Sequence, residues 1–259
     1  MAKGGTAVYL YCVVRAARKP PLTRVPRGLP DATRPAAYRV STALWLITAQ
    51  VPLDRYDPVH LEPRLRDLDW VADIALAHEA VVEYFARAKG AVVVPMKLFT
   101  MFSSMDKAAA DVGAGRAAIE RAMRHIAGCE EWGVRITRRP GAARPAATAP
   151  AVSGAAFLAA KKKARDEAAH TRAASLAAAE AAFARLSRLA KDAHQRPRRQ
   201  EPGTNPPLLE AAFLVTVRAR ARFKAEAARQ AALCAPAGAD MTLTGPWPAY
   251  NFIEPEARA

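Results

Sequence analysis

A chain of 259 residues with a formal charge of +15 and 51% apolar side chains is long enough for two modest domains, each with a core of its own. No run approaches the roughly 18 apolar residues that span a bilayer. The start leads straight into a strand-like segment rather than a secretory signal, and Cys12, Cys129 and Cys234 are too few and too scattered for a disulfide or metal framework. The expectation is a cytoplasmic protein with reduced thiols.

In chain order, residues 7–14 are a nearly unbroken run of apolar, β-branched and aromatic side chains, predicting a strand buried on both faces. Pro20, Pro21, Pro26, Pro30 and Pro35 mark a loop, and residues 38–48 predict a second strand. Three-four apolar spacing predicts a helix over 65–88, closed by Lys89-Gly90. Residues 91–94 predict a third strand. Ser103 or Ser104 then caps a helix to about residue 127, interrupted at Gly113 and Gly115, and residues 132–137 predict a fourth strand.

Beyond a linker at 138–150, residues 152 to about 194 form an Ala-rich helix with a narrow apolar stripe. Residues 195–207 break it. A strand follows at 209–217, then a basic amphipathic helix at 218–233 and a last strand at 240–244. Both halves mix sheet and helix, so the fold class is α+β. The expected layout is an N-terminal domain at 1–138, a linker at 139–151, a helix-rich C-terminal domain at 152–245 and an extended tail at 246–259.

Signals for chemistry are weak. Gly113-Ala114-Gly115 lacks the Lys-Ser/Thr of a phosphate loop, and His78-Glu79 is followed by Val82 where a zinc helix needs its second His. Cys129 sits beside Glu130 and Glu131, which raise rather than lower a thiol pKa. The reading is therefore a non-enzyme with no cofactor, no metal and no small-molecule substrate. Residues 138–230 hold 19 basic and 7 acidic side chains against 11 and 13 in 41–137, so charge concentrates on the C-terminal helices. Lys161, Lys162, Lys163 and Arg165, with Arg218, Arg220, Arg222 and Lys224, form a candidate basic face for an anionic partner. A nucleic-acid-binding module is the alternative function, though no aromatic interleaving or reader motif supports it. A plainly solvated Arg-rich surface is the alternative for the face itself.

The most specific segment is Leu243-Thr244-Gly245-Pro246-Trp247-Pro248-Ala249-Tyr250-Asn251-Phe252. Its prolines impose extended geometry, and its aromatic rings need a surface to cover. It reads as a tail that clasps its own protein or a partner. Together with Val8-Tyr9-Leu10-Tyr11, His78-Glu79-Ala80-Val81-Val82, Val94-Pro95-Met96-Lys97-Leu98-Phe99-Thr100-Met101-Phe102, Glu131-Trp132-Gly133-Val134, Gly154-Ala155-Ala156-Phe157-Leu158 with its basic follow-on and Ala211-Ala212-Phe213-Leu214-Val215, it resembles the gas vesicle F/L protein family over nearly the whole chain.

The resemblance implies a ferredoxin-like N-terminal domain, a C-terminal α+β domain, and a non-catalytic accessory role in gas vesicle assembly. It also implies partnership with the hydrophobic shell protein and other accessory proteins. Trp132, Trp247, Tyr250 and Phe252 are the aromatic candidates for interaction. One departure stands out: the family's Arg-Phe-Gly-Thr after the proline is Lys97-Leu98-Phe99-Thr100 here, which leaves the shape of that turn open.

Overall fold

The computed structural model describes residues 5–139, 153–197 and 206–253. The chain divides into two compact units. One runs to Gly128 and takes in the residues from Trp247 onward; the other is Cys129–Pro246.

In the first unit, β1 (Thr6–Arg15) lies at the centre of a sheet with β2 (Ala36–Arg39), β3 (Leu44–Pro52) and β4 (Val92–Pro95), ordered β2-β3-β1-β4. A short β5 (Met101–Phe102) also pairs with β1, and every pairing is antiparallel. The run at 7–14 is buried throughout, as its lack of alternation requires. The expected single strand at 38–48 is instead a hairpin in which Arg39 pairs with Trp45. Its tip carries Ser41 and Thr42, which have little to bury, and the Arg39 guanidinium donates to their carbonyls at 3.1 and 3.3 Å.

Two short helices missed by the periodicity reading follow, α1 (Leu53–Tyr56) and α2 (Pro58–Arg64). α2 starts where Asp57 accepts from the His60 N–H at 2.8 Å and Pro58 opens the first turn. α3 (Leu68–Ala86) is capped by Asp67 and turns Ile74, His78, Val81, Val82 and Phe85 into the core. Ser104 caps α4 (Met105–Ala114), and Gly115 separates it from α5 (Arg116–Ile126).

The turn left open by the sequence keeps a glycine's conformation without the glycine. Phe99 lies at φ 64°, in the left-handed region that costs a side chain roughly 1–2 kcal/mol. Its ring stacks on Trp70 at 6.0 Å between centroids, 9° from parallel, which offsets that strain.

In the second unit, β6 (Cys129–Arg138), β7 (Asp192–Gln195), β8 (Leu209–Thr216) and β9 (Ala239–Trp247) form a sheet ordered β7-β8-β6-β9. Its helices are α6 (Gly154–Ser187) and α7 (Arg220–Cys234). Trp132, Phe213 and Phe223 centre a core closed by Ala179, Ala182 and Leu186 of α6 and Ala227 of α7.

Two expectations are corrected here. The strand at 132–137 is not the fourth strand of the first domain: it pairs with β8 from Cys129 to Ile136, so the unit boundary falls at Gly128 rather than at residue 138. Its one apolar face needs the cover that α6 and α7 supply. The helix over 152–194 ends at Ser187, because Asp192–Gln195 adds an edge strand to β8. As the prolines between the first two strands lead one to expect, the first unit makes its first crossover without a helix, and it closes its sheet with β4 after α3. Reckoned by order of appearance in each unit, and leaving β5 aside, both sheets run fourth, first, third, second, the strand order of a split βαβ arrangement. The expected linker lies almost wholly outside the described residues.

Candidate functional site

Two places gather the chain's unusual side chains. In the first unit, Tyr9 and Tyr11 point the same way from β1, as residues two apart on a strand do, and meet His78 from α3. The Tyr9 hydroxyl accepts from the Phe99 N–H at 3.3 Å and shares a hydrogen bond with His78 Nδ1 at 2.8 Å. In the neutral imidazole one ring nitrogen carries the proton, and the tautomer sets which partner donates in that bond. Burial holds the imidazole well below its ordinary range, at about 4, with the Met96 backbone partly offsetting. The Tyr11 hydroxyl accepts from Leu29 N–H at 3.0 Å, and burial pushes its pKa up to about 12.

The C-terminal turn Tyr250–Phe252 belongs to this nest. It lies against α5; Phe252 is 3% exposed, and the Tyr250 ring is tilted toward His78 with centroids 6.5 Å apart. The Tyr250 phenol is set against the Glu79 carboxyl, short of ordinary hydrogen-bond geometry. Burial raises the pKa of both groups, and the carboxylate raises that of the phenol further. Sequence reasoning noticed His78-Glu79 as a failed zinc motif and as part of a family-like segment, not as groups set among tyrosines. The i, i+2 tyrosines of β1 were the signal that a polar group had to meet them.

In the second unit, Trp132 is 4% exposed, beside Phe223, with Lys224 Nζ 5.8 Å from its ring centroid. Gly245 passes directly over it at φ 118°. A Cβ there would sit 2.8 Å from the Glu131 carbonyl and 3.3 Å from Trp132 Cε3. The glycine of the tail element therefore lets β9 close on Trp132.

The basic candidates lie on the helices. Lys161, Lys162, Lys163 and Arg165 are exposed on α6, where Lys163 reaches Glu167 at 3.9 Å. Arg218 and Arg222 are exposed, whereas Arg220 forks onto the Glu130 carboxylate with Nε at 2.8 Å. Of the aromatic candidates, the structure buries Trp132 and Phe252 as core and leaves Trp247 exposed.

Burial raises the thiol pKa of all three cysteines. Among the described residues no three His, Cys, Asp or Glu side chains are placed to hold a metal ion, and no helix is long and apolar enough to cross a membrane.

Fold and exposed features together define a two-unit α+β protein whose conspicuous surface elements are a basic helical face and one exposed aromatic of the tail, Trp247. Residues 7–254 match the family described as gas vesicle synthesis protein GvpL/GvpF, and the chain belongs to that family. It is 33% identical over 216 residues to gas vesicle protein L of Streptomyces sp. (strain CB03234), covering 80% of this chain and 78% of that one. Two solved structures share the fold. The gas vesicle protein GvpF from Anabaena sp. PCC7120 has a TM-score of 0.68 at 14% identity, over 97% of this chain and 98% of its own. GvpF from Microcystis aeruginosa has 0.64 at 11%, over 96% and 99%.

Proposed function

We propose that this chain is an accessory protein of gas vesicle assembly that acts by binding and catalyses nothing. It engages the hydrophobic shell subunit and neighbouring accessory proteins in the cytoplasm, at the growing vesicle. The observation that carries this reading is the family match across residues 7–254. A shell subunit that is apolar before it polymerises needs a partner to cover its strand edges or apolar faces. Trp247, 42% exposed at the end of edge strand β9, and the cations Lys161, Lys162, Lys163, Arg165, Arg218 and Arg222 are the contact residues of this proposal. The C-terminal tail works as an aromatic strap, with Tyr250 and Phe252 as its anchor and Trp247 as its outward part.

Co-expression of the tagged chain with the gas vesicle shell protein tests this. Retention of the shell protein is expected, with Trp247→Ala lowering retention while thermal unfolding stays unchanged. No retention, where an authentic GvpL/GvpF protein retains it in parallel, overturns the proposal.

A further inference from the structure

Two exposed helical faces in this chain complement one another in charge and in apolar content. α6 is 34 residues long, yet its buried positions begin only at Ser175. Its first half projects with Phe157 53% and Leu158 66% exposed. Residues 154–165 carry Lys161, Lys162, Lys163 and Arg165 and no acidic side chain. Phe157, Ala164, Ala168 and Ser175 fall on one meridian of the helix, which passes from buried at Ser175 through half-buried Ala168 and Ala164 to exposed at Phe157.

α3 presents the opposite. Its outward side exposes Leu68 at 78% and Leu76 at 68%, with Ala72 between them. The helix carries Asp69, Asp73, Glu79 and Glu83 and no Lys or Arg. Glu83 pairs with Arg87 and Glu79 faces Tyr250, which leaves Asp69 and Asp73 as the exposed carboxylates beside Leu68 and Leu76. Lys161, Lys162 and Arg165 make no ion pair among the described residues.

We propose that the free half of α6 docks on the outer face of α3 of a second copy of this chain. Phe157 and Leu158 cover Leu68 and Leu76, while Lys161, Lys162 and Arg165 face Asp69 and Asp73. The contact is placed between two copies, so it must depend on protein concentration. The two surfaces differ, so the contact is heterologous: it either reciprocates in a closed assembly or propagates. A few helical turns bury less than a standard interface, so the association is weak, and much of its selectivity is electrostatic.

Sedimentation velocity of the full chain, from micromolar to submillimolar concentration at low and high salt, provides the test. Self-association is expected at low salt and weakens as salt rises. The variants K161E/K162E/R165E and D69K/D73K change only exposed positions, and each weakens self-association about tenfold or more. Both sets in one chain restore it, and an equimolar mixture of the two variants forms a mixed complex. A wild-type chain that stays monomeric at low salt overturns the proposal. So does association indifferent to either set, or sensitive to the α6 set alone. The last result, joined to retention of a nucleic-acid probe by α6, assigns that face to nucleic acid instead.

Discussion

The two sheets share one strand order, and the units differ in how the chain makes its first crossover. Between β1 and β2 runs an irregular segment, residues 16–35. Between β6 and β7 comes the long helix α6. A helix satisfies its own backbone, so the second unit needs few polar side chains inside and fills its core with Phe213, Phe223, Trp132 and small helix faces. An irregular crossover has no such partners. The first unit supplies them from tyrosines: Leu29 N–H donates to the Tyr11 hydroxyl, and the Tyr56 hydroxyl donates to Pro30 C=O at 2.9 Å. The buried phenols of this family member are thus the counterpart of a missing helix.

The coarsest way to probe this contrast is to hollow the hydrocarbon core. Phe213 is fully buried between Phe183 and Phe223, and Phe213→Ala is expected to cost about 3–5 kcal/mol. Hydrogen exchange resolved by peptide should show the loss of protection in β8 and α7, with β1 and β3 little changed. Equal loss in both units would mean that the cores are not separate.

Acid should attack the other unit. His78 titrates at about 4 when folded and at 6.5 when unfolded, so between these values only the unfolded chain takes up the proton. The stability it contributes is complete above about pH 6.5 and lost as pH falls toward 4, up to about 3 kcal/mol. Denaturant titrations from pH 7 to 4.5 should show that slope in first-unit probes, and His78→Gln should flatten it.

A finer test removes one oxygen. Tyr11→Phe leaves the Leu29 N–H buried without its acceptor, for about 1–3 kcal/mol. Ser175→Ala, which removes an O–H donated to the Ala237 carbonyl at 2.6 Å, should cost about 1 kcal/mol. A Tyr11 effect no larger than that of Ser175 would break the argument that the crossover depends on its phenols.

Much of this was legible in the sequence where one physical signal dominated. The unbroken run at 7–14, the stop at Gly115 and the prolines of 16–35 dictated a buried strand, a helix break and an irregular crossover. Sheet membership was not legible. Trp132 alternates like any strand residue, and only pairing with β8 decides which unit owns it. β7 was hidden because Asp192-Ala193-His194-Gln195 has neither alternation nor β-branched residues; its strand geometry comes from β8 beside it. The basic candidates were visible as charges, but the engagement of Arg220 by Glu130, 90 positions away, was not. The family's glycine at the turn proved replaceable because Trp70 offers Phe99 a stacking partner.

The smallest expected effect is a gain. Glu79 is partly buried against Tyr250, and desolvation raises its folded pKa above the unfolded value of 4.5. Its ionised form is therefore disfavoured in the native state at neutral pH, and folding gains stability from this group as pH falls, opposite in sign to His78. Glu79→Gln keeps the shape of the polar group beside the Tyr250 hydroxyl without the charge. It should raise stability at pH 7 by less than about 1 kcal/mol and leave it unchanged below about pH 4, where the carboxyl is protonated in both states. With the opposing slope gone, the acid loss due to His78 becomes steeper. A fall in melting temperature at pH 7 would instead mean that the ionised carboxylate, accepting from the tail's phenol, holds the C-terminal turn in place more strongly than burial penalises it.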